Sequence, residues 1–300
     1  MRALRLLAPL AALIVAAPLI PTLAAAPATT EMALTSADGF ALKGTLTLPA
    51  TAKPKAKSPV VILAHQFGSN RAGWAPLTEK LLARGIGVLA LDLRGHGDSA
   101  LKAGAEVRVT TDFPASAKAV GFDKIPADLA QAATWLRKQP GVDGRRLGLA
   151  GSSVGAFAVL LAAPEVKPVA ILSLSPAGTG AFGDSARDRL KGAVLRSRPS
   201  VLVLASMDDK DAAENAQALK DLPGVAVDLK EGGDHGFAYF KDCSDLMAVY
   251  FGEYLTYHHT GKRYAEARAK GAAPAPASPE GMTGGPAPAE KKPTGGPAPK

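Results

Sequence analysis

The sequence predicts an α/β fold: a mostly parallel sheet of about eight strands with helices packed on both faces. Three observations lead to this. First, short apolar runs recur at 59–64, 86–92, 147–150, 170–174, 201–205 and 225–229. They lack the polar alternation of a half-exposed strand, as strands covered on both sides do. Second, segments with helical spacing fall between them, the arrangement of successive βα units. Third, glycines and polar residues gather just past the strand ends, where such sheets place their functional loops.

The elements follow in order. Residues 1–26 hold Arg2 and Arg5, then an apolar run ending in Leu23-Ala24-Ala25-Ala26. This is the layout of a secretory signal, with cleavage expected near Ala24 or Ala26. Pro9, Pro18 and Pro21 argue against a stable membrane-spanning helix. A retained anchor would need this segment to stay uncleaved. No Cys lies near the cleavage region, so a lipid-anchored N-terminus is not expected. The protein is therefore expected to be exported, to a periplasm or beyond the cell.

Residues 32–49 read as an antiparallel hairpin turning at Asp38-Gly39. A Pro/Lys/Ala connector follows over 49–58. The strand at 59–64 ends in His65-Gln66-Phe67-Gly68-Ser69-Asn70, a helix is expected over 74–84, and the strand at 86–92 ends in Arg94-Gly95-His96-Gly97-Asp98-Ser99. Helical spacing at Ile125, Leu129, Ala132, Ala133 and Leu136 predicts a helix over 126–139, stopped by Pro140-Gly141. After the strand at 147–150 a helix is expected to run to Pro164. Further helices are expected at 211–222 and 244–258. Only about 25 residues separate the strands at 170–174 and 201–205, room for one helix and no large cap.

From about Lys262 the composition changes. Eight prolines fall in the last thirty residues, and TGGPAP occurs at 283–288 and 294–299. Such a segment has little to bury and reads as a disordered or polyproline-like tail. The organisation expected is a signal over 1–26, a catalytic-type domain over 27–261 and a tail over 262–300. The net charge of +8 is concentrated at the ends: Arg2 and Arg5 give +2 and residues 262–300 give +4. The remainder is ordinary, with no basic stripe interleaved with aromatics, so nucleic-acid binding is not expected. The single cysteine, Cys243, excludes an intramolecular disulfide and reads as a small buried hydrophobe.

The chemistry centres on Gly151-Ser152-Ser153-Val154-Gly155. Strand before and helix after make this G-x-S-x-G pattern a sharp turn that presents a serine hydroxyl. Ser153 is the candidate nucleophile, and Ser152, one position off, should point elsewhere. The Val154 amide, at a helix N-terminus, can stabilise a developing oxyanion. A serine hydroxyl needs a base, and the base an orienting carboxylate, in the chain order Ser, acid, His for this kind of sheet. Past the strand at 201–205 come Asp208, Asp209 and Asp211; past the last strand comes His235 in Gly232-Gly233-Asp234-His235-Gly236. Spacing favours Asp209 as the acid, with Asp208 as the alternative. The second oxyanion donor is expected from the loop after 59–64, at the Phe67 amide. His65 and His96 read as structural, His258 and His259 as solvated. The five histidines show no metal-site spacing, so no metal is expected.

Taken together, His65-Gln66-Phe67-Gly68, Arg94 to Ser99, Gly151 to Gly155, Asp209 and Asp234 to Phe237 resemble the α/β-hydrolase superfamily, in particular its dienelactone-hydrolase-like and small serine-esterase members. The resemblance spans roughly 33–258. It implies the α/β-hydrolase fold, Ser153 as nucleophile, His235 as base, Asp209 as acid, the Phe67 and Val154 amides as oxyanion hole, and no cofactor. Two departures stand out. Gln66 occupies a position where many relatives have glycine. The nucleophile is serine, whereas dienelactone hydrolases use cysteine.

The expected function is hydrolysis of a small carboxylic ester through an acyl-enzyme. The same triad would serve a peptidase, thioesterase or acyltransferase. A non-catalytic envelope-associated binding protein on the same fold is the alternative from another class. Of the acyl pocket the sequence shows only nearby apolar residues such as Phe67, Trp74 and Phe237. The sequence says nothing of the oligomeric state.

Overall fold

A computed structural model describes residues 26–50 and 56–257. Apart from Ala26, the expected signal over 1–26 lies outside the described residues, as do the tail over 262–300 and His258 and His259. The strands are β1 (Ala28–Thr35), β2 (Ala41–Leu48), β3 (Ser58–Ala64), β4 (Gly87–Asp92), β5 (Leu101–Lys102), β6 (Ala105–Glu106), β7 (Val142–Ser152), β8 (Ala170–Leu174), β9 (Ser200–Ser206) and β10 (Val225–Lys230). The helices are α1 (Ala75–Ala83), α2 (Phe113–Val120), α3 (Ile125–Leu136), α4 (Val154–Val166), α5 (Ala186–Ser197), α6 (Lys210–Leu219) and α7 (Phe240–Gly252).

Eight strands form one sheet in the order β1-β2-β4-β3-β7-β8-β9-β10. The β1–β2 and β2–β4 pairs are antiparallel, and the rest are parallel. This is the α/β-hydrolase fold expected from the sequence. The central strands β3, β8 and β9 are largely apolar because both faces are covered. On one side α2 to α6 pack over residues such as Ile62, Leu149 and Val203; on the other α1 and α7 cover Val61, Leu63, Leu172 and Leu204. In α4, ten of thirteen residues are buried, so it shows no polar stripe.

Several boundaries differ from expectation. Helix α4 passes Pro164 and ends at Val166, with Lys167 in a left-handed conformation donating to Ala163 O at 2.8 Å. A proline this near a helix end removes one late backbone bond, which the cap and burial of Val166 offset. The closing helix starts earlier, at Phe240, and passes into a π-turn over Glu253–Tyr257. Helix α6 stops at Leu219. The stretch 100–124 holds structure that sequence periodicity does not show: the β5–β6 hairpin, α2 and a 3-10 turn. Between β8 and β9 there is one α-helix, α5, preceded by a 3-10 turn, and no large cap.

Buried Arg94 ties the loop after β4 to the body. It donates to both Asp128 oxygens, at 2.7 and 2.8 Å, and to both Asp38 oxygens at 3.1 Å. Burial pushes the Asp128 carboxyl up against the pull of Arg94; the Asp38 carboxyl is held well below its usual range by Arg94 and Ser36, outweighing the opposing effect of burial. Among the described residues no helix is long and apolar enough to cross a membrane.

Candidate active site

Strand β7 delivers Ser153 at a turn it could not make with larger neighbours. Ser153 has φ 55° and ψ −119°, strained for a residue with a side chain. A Cβ at Gly151 would strike the Gly155 backbone, and a Cβ at Gly155 would strike the backbone of Ala64 and His65. The two glycines therefore let α4 start hard against β7 and β3. Ser153 N–H donates to Leu174 O at 2.9 Å, which fixes the turn to β8. Ser152 is fully buried and turned away, its hydroxyl 3.0 Å from Gln66 Oε1.

Past β9, Asp209 stands at the N-cap position of α6 but makes no side-chain cap bond there. Its carboxylate instead meets His235 Nδ1 at 2.6 Å. A carboxylate accepts, so Nδ1 carries the proton and Nε2 is left free to act as a base. Asp208, one residue earlier, is exposed. Asp211 serves a different purpose. Its carboxylate accepts from the Gly178 and Thr179 amides at 2.7 and 3.1 Å and from the Thr179 hydroxyl at 2.6 Å. It thereby pins the 3-10 turn after β8.

Ser153 and His235 face one cleft of about 380 Å³, shared with Gln66, Phe67, Phe113, Gly178 and Asp211. Asp209 stands behind His235, so the three side chains expected from the sequence converge. No hydrogen bond joins Ser153 Oγ to the imidazole in this structure. Phe67 lies in the loop after β3, whose shape comes from two histidines. Fully buried His65 accepts from Leu93 N–H at Nε2, 3.0 Å away, and donates from Nδ1 to Gln66 O at 2.7 Å. His96 accepts from Gly68 N–H at 3.2 Å and donates to Arg94 O at 3.0 Å. Both roles require neutral rings. Burial pushes His65 down to about 3, helped by the neighbouring His96, and burial lowers His96 as well. With Gly68 N–H engaged, the Phe67 N–H has no hydrogen-bond acceptor among the described residues. Val154 N–H heads α4, where first-turn amides lack intrahelical partners. Val154 follows the serine directly, and Phe67 lines the same cleft.

Trp74 and Phe237 are among the apolar residues the sequence offers near the site. The structure places Trp74 in the core, fully buried, with its ring 4.9 Å from that of Phe237 in an edge-on contact. The aromatic walls of the cleft are Phe67 and Phe113, whose ring centroids lie 5.1 Å apart. Phe113 was missed. The available signal was Asp112-Phe113-Pro114: Asp112 caps α2 by accepting from Ala115 N–H, and Pro114 sits in the first turn. On the other side of Phe113 lies a second hollow of about 570 Å³, walled by small residues such as Ala117, Gly180 and Ala181, with Lys118 and Asp123 at its margin. Among the described residues no cluster of three His, Cys, Asp or Glu side chains could hold a metal ion.

Residues 55–220 match the family described as serine aminopeptidase, S33. That is more than half of the chain, and it includes Ser153 and Asp209. The chain belongs to this α/β-hydrolase family. Among curated proteins it is similar to the thiohydrolase aneE of Aspergillus aculeatus, 27% identical over 175 residues. The match takes in 58% of this chain and 49% of that protein, so the chain spans about half the length of the curated relative it matches. Among solved structures it resembles an acetyl xylan esterase from Paenibacillus sp. R4, with a TM-score of 0.57, 17% identity and coverage of 80% of this chain and 87% of that one. It also resembles a dienelactone hydrolase from Anabaena variabilis, with a TM-score of 0.51, 21% identity and coverage of 76% and 99%. At such identities the likeness is one of fold.

Proposed function

We propose that this hydrolase is a serine esterase, exported by its N-terminal segment, that cleaves small carboxylic esters. The observation that carries the reading is the 2.6 Å bond from Asp209 to His235 Nδ1, on the wall of a cleft shared with the strained Ser153. In the proposed cycle Ser153 Oγ attacks the ester carbonyl while His235 Nε2 takes its proton. The Phe67 and Val154 amides receive the oxyanion, already oriented before charge develops. Asp209 holds the imidazole in the productive tautomer and stabilises the imidazolium. His235 then protonates the leaving alcohol, and water releases the acid by the same steps. Among the described residues no large cap covers the cleft, which suits small or exposed substrates.

The test is hydrolysis of p-nitrophenyl acetate and butyrate by the purified 27–300 protein beside its Ser153→Ala variant. Turnover in the variant should fall by about 10⁴-fold or more. Equal rates would remove Ser153 from the chemistry. The name of the curated relative favours one further arm, a thioester of the same acyl group, whose preference over the oxygen ester would redefine the substrate class. A protein that turns over neither substrate and resists labelling by an active-site phosphonate would be a binding protein. Export is tested separately, by N-terminal sequencing of the mature protein. Retention of residues 1–20 would sink it.

A further inference from the structure

We propose that Gln66 is a positioning residue that holds His235 over Ser153 by joining the nucleophile turn to the histidine loop. The inference rests on the serine-hydrolase reading above. Gln66 Oε1 accepts two hydrogen bonds, from the Ser152 hydroxyl at 3.0 Å and from the Phe237 amide at 3.0 Å. A backbone N–H can only donate, so the orientation of the Gln66 amide is determined by that contact. Ser152 precedes the nucleophile by one residue, and Phe237 follows the histidine by two. One oxygen atom thus ties together the two chain segments that carry the reacting groups.

The histidine loop depends on such ties. Residues 231–234 are exposed and give it little support. It is fixed at three successive residues from three strand ends: His235 by Asp209 after β9, Gly236 N–H by Ser175 Oγ at 2.9 Å after β8, and Phe237 N–H by Gln66 after β3. Of these, Gln66 also reaches the nucleophile turn. The approach is close enough to dictate the neighbouring residue. Gly236 has φ 55°, and a Cβ there would be driven into Gln66 Oε1 and the Ser152 hydroxyl. A glycine at position 66 could make neither bond, which gives a physical reason for glutamine in this chain.

The experiment compares wild type with Gln66→Met, which keeps length but offers only a weakly accepting thioether, and Gln66→Glu, which keeps accepting oxygens. Three quantities are read: kcat and KM on p-nitrophenyl acetate, the pH profile of kcat/KM, and amide exchange of residues 232–240. Gln66→Met should lose about 10²-fold in kcat with KM little changed, the effect of misplacing a reacting group, and should exchange faster over 232–240. Gln66→Glu should recover most of kcat. Its acid limb should move to higher pH, because a carboxylate beside the cleft favours the imidazolium. A Gln66→Met protein with wild-type kcat, or with unchanged exchange over 232–240, would overturn the proposal. If Gln66→Met does not fold, Gln66→Glu decides: a wild-type acid limb overturns the proposal. If wild type hydrolyses no ester, the esterase reading fails on its own. Exchange then still tests the tether.

Discussion

Ser153 and Asp209 each occupy a backbone position that a different residue would fill more comfortably. A glycine would relieve the φ of 55° at Ser153, and the strain is kept where the side chain must stand clear of the sheet. Asp209, at the head of α6, leaves its own helix uncapped to reach His235. An N-cap bond typically stabilises a helix by about 1 kcal/mol, so this orientation forgoes local stability. Asp208 has no such role, being exposed with its backbone N–H bound to Gly232 O. The two aspartates should therefore separate cleanly. Asp209→Asn should lower kcat on p-nitrophenyl butyrate by about 10⁴-fold, because an amide can donate to Nδ1 and favour the wrong tautomer. Asp208→Asn should stay close to wild type. Full activity in Asp209→Asn would move the acid elsewhere.

At the scale of elements, substrate range should be decided by α2. This helix places Phe113 between the cleft at Ser153 and the larger hollow beyond it. The ring is braced by Phe67 and Phe122, with centroids at 5.1 and 5.8 Å. Phe113→Ala should join the two spaces. The ratio of kcat/KM for p-nitrophenyl octanoate over acetate should then rise by about tenfold, the worth of a modest gain in apolar contact. An unchanged chain-length profile would remove Phe113 as a determinant. The physics that makes α2 important also hides it from the sequence. The central strands and α4 announce themselves because burial on every side demands largely apolar runs. The loops bearing Asp209 and His235 stand out as polar breaks at their ends. Segment 100–124 has no such pressure. Its strands β5 and β6 are two residues each, and in α2 only Ser116, Ala117 and Val120 are buried, too few for a legible stripe. Trp74 misled for the converse reason. Its place in sequence, near the oxyanion loop, says nothing of the α1–α7 layer that buries it. The Gln66 tether joins residues 171 apart in the chain and is visible only in three dimensions.

For the whole molecule, the two buried histidines should govern acid stability. His65 and His96 lie edge to face with ring centroids 4.9 Å apart, where β3, β4 and the oxyanion loop meet. Each accepts a backbone N–H, from Leu93 and Gly68, so protonating either would break a bond and place a charge in the core. Their folded pKa values lie below the ordinary 6.5, with His65 at about 3. The sign follows. Above about pH 6.5 both states are neutral at these rings and the stability they contribute is complete. As pH falls below that, the unfolded chain takes up protons that the folded chain refuses. Stability then declines, by about 1.4 kcal/mol per pH unit for each ring held neutral, until His65 titrates in the fold near pH 3. The Asp38 and Asp143 carboxyls, held low by arginine partners, work in the same direction but only below their unfolded value of 3.8. Between about pH 6.5 and 4.5 the decline comes from the histidines, opposed by Asp128, whose carboxyl burial pushes up so that it takes its proton in the fold before the unfolded chain does. Thermal melts should show a Tm that is flat above pH 7 and falls through that window. His65→Gln, which cannot take up a proton, should lower Tm at neutral pH and make the fall shallower. A wild-type Tm unchanged from pH 7 to 4.5 would mean that these rings can be protonated in the fold without penalty. The neutral acceptor network holding the oxyanion loop would then be wrong.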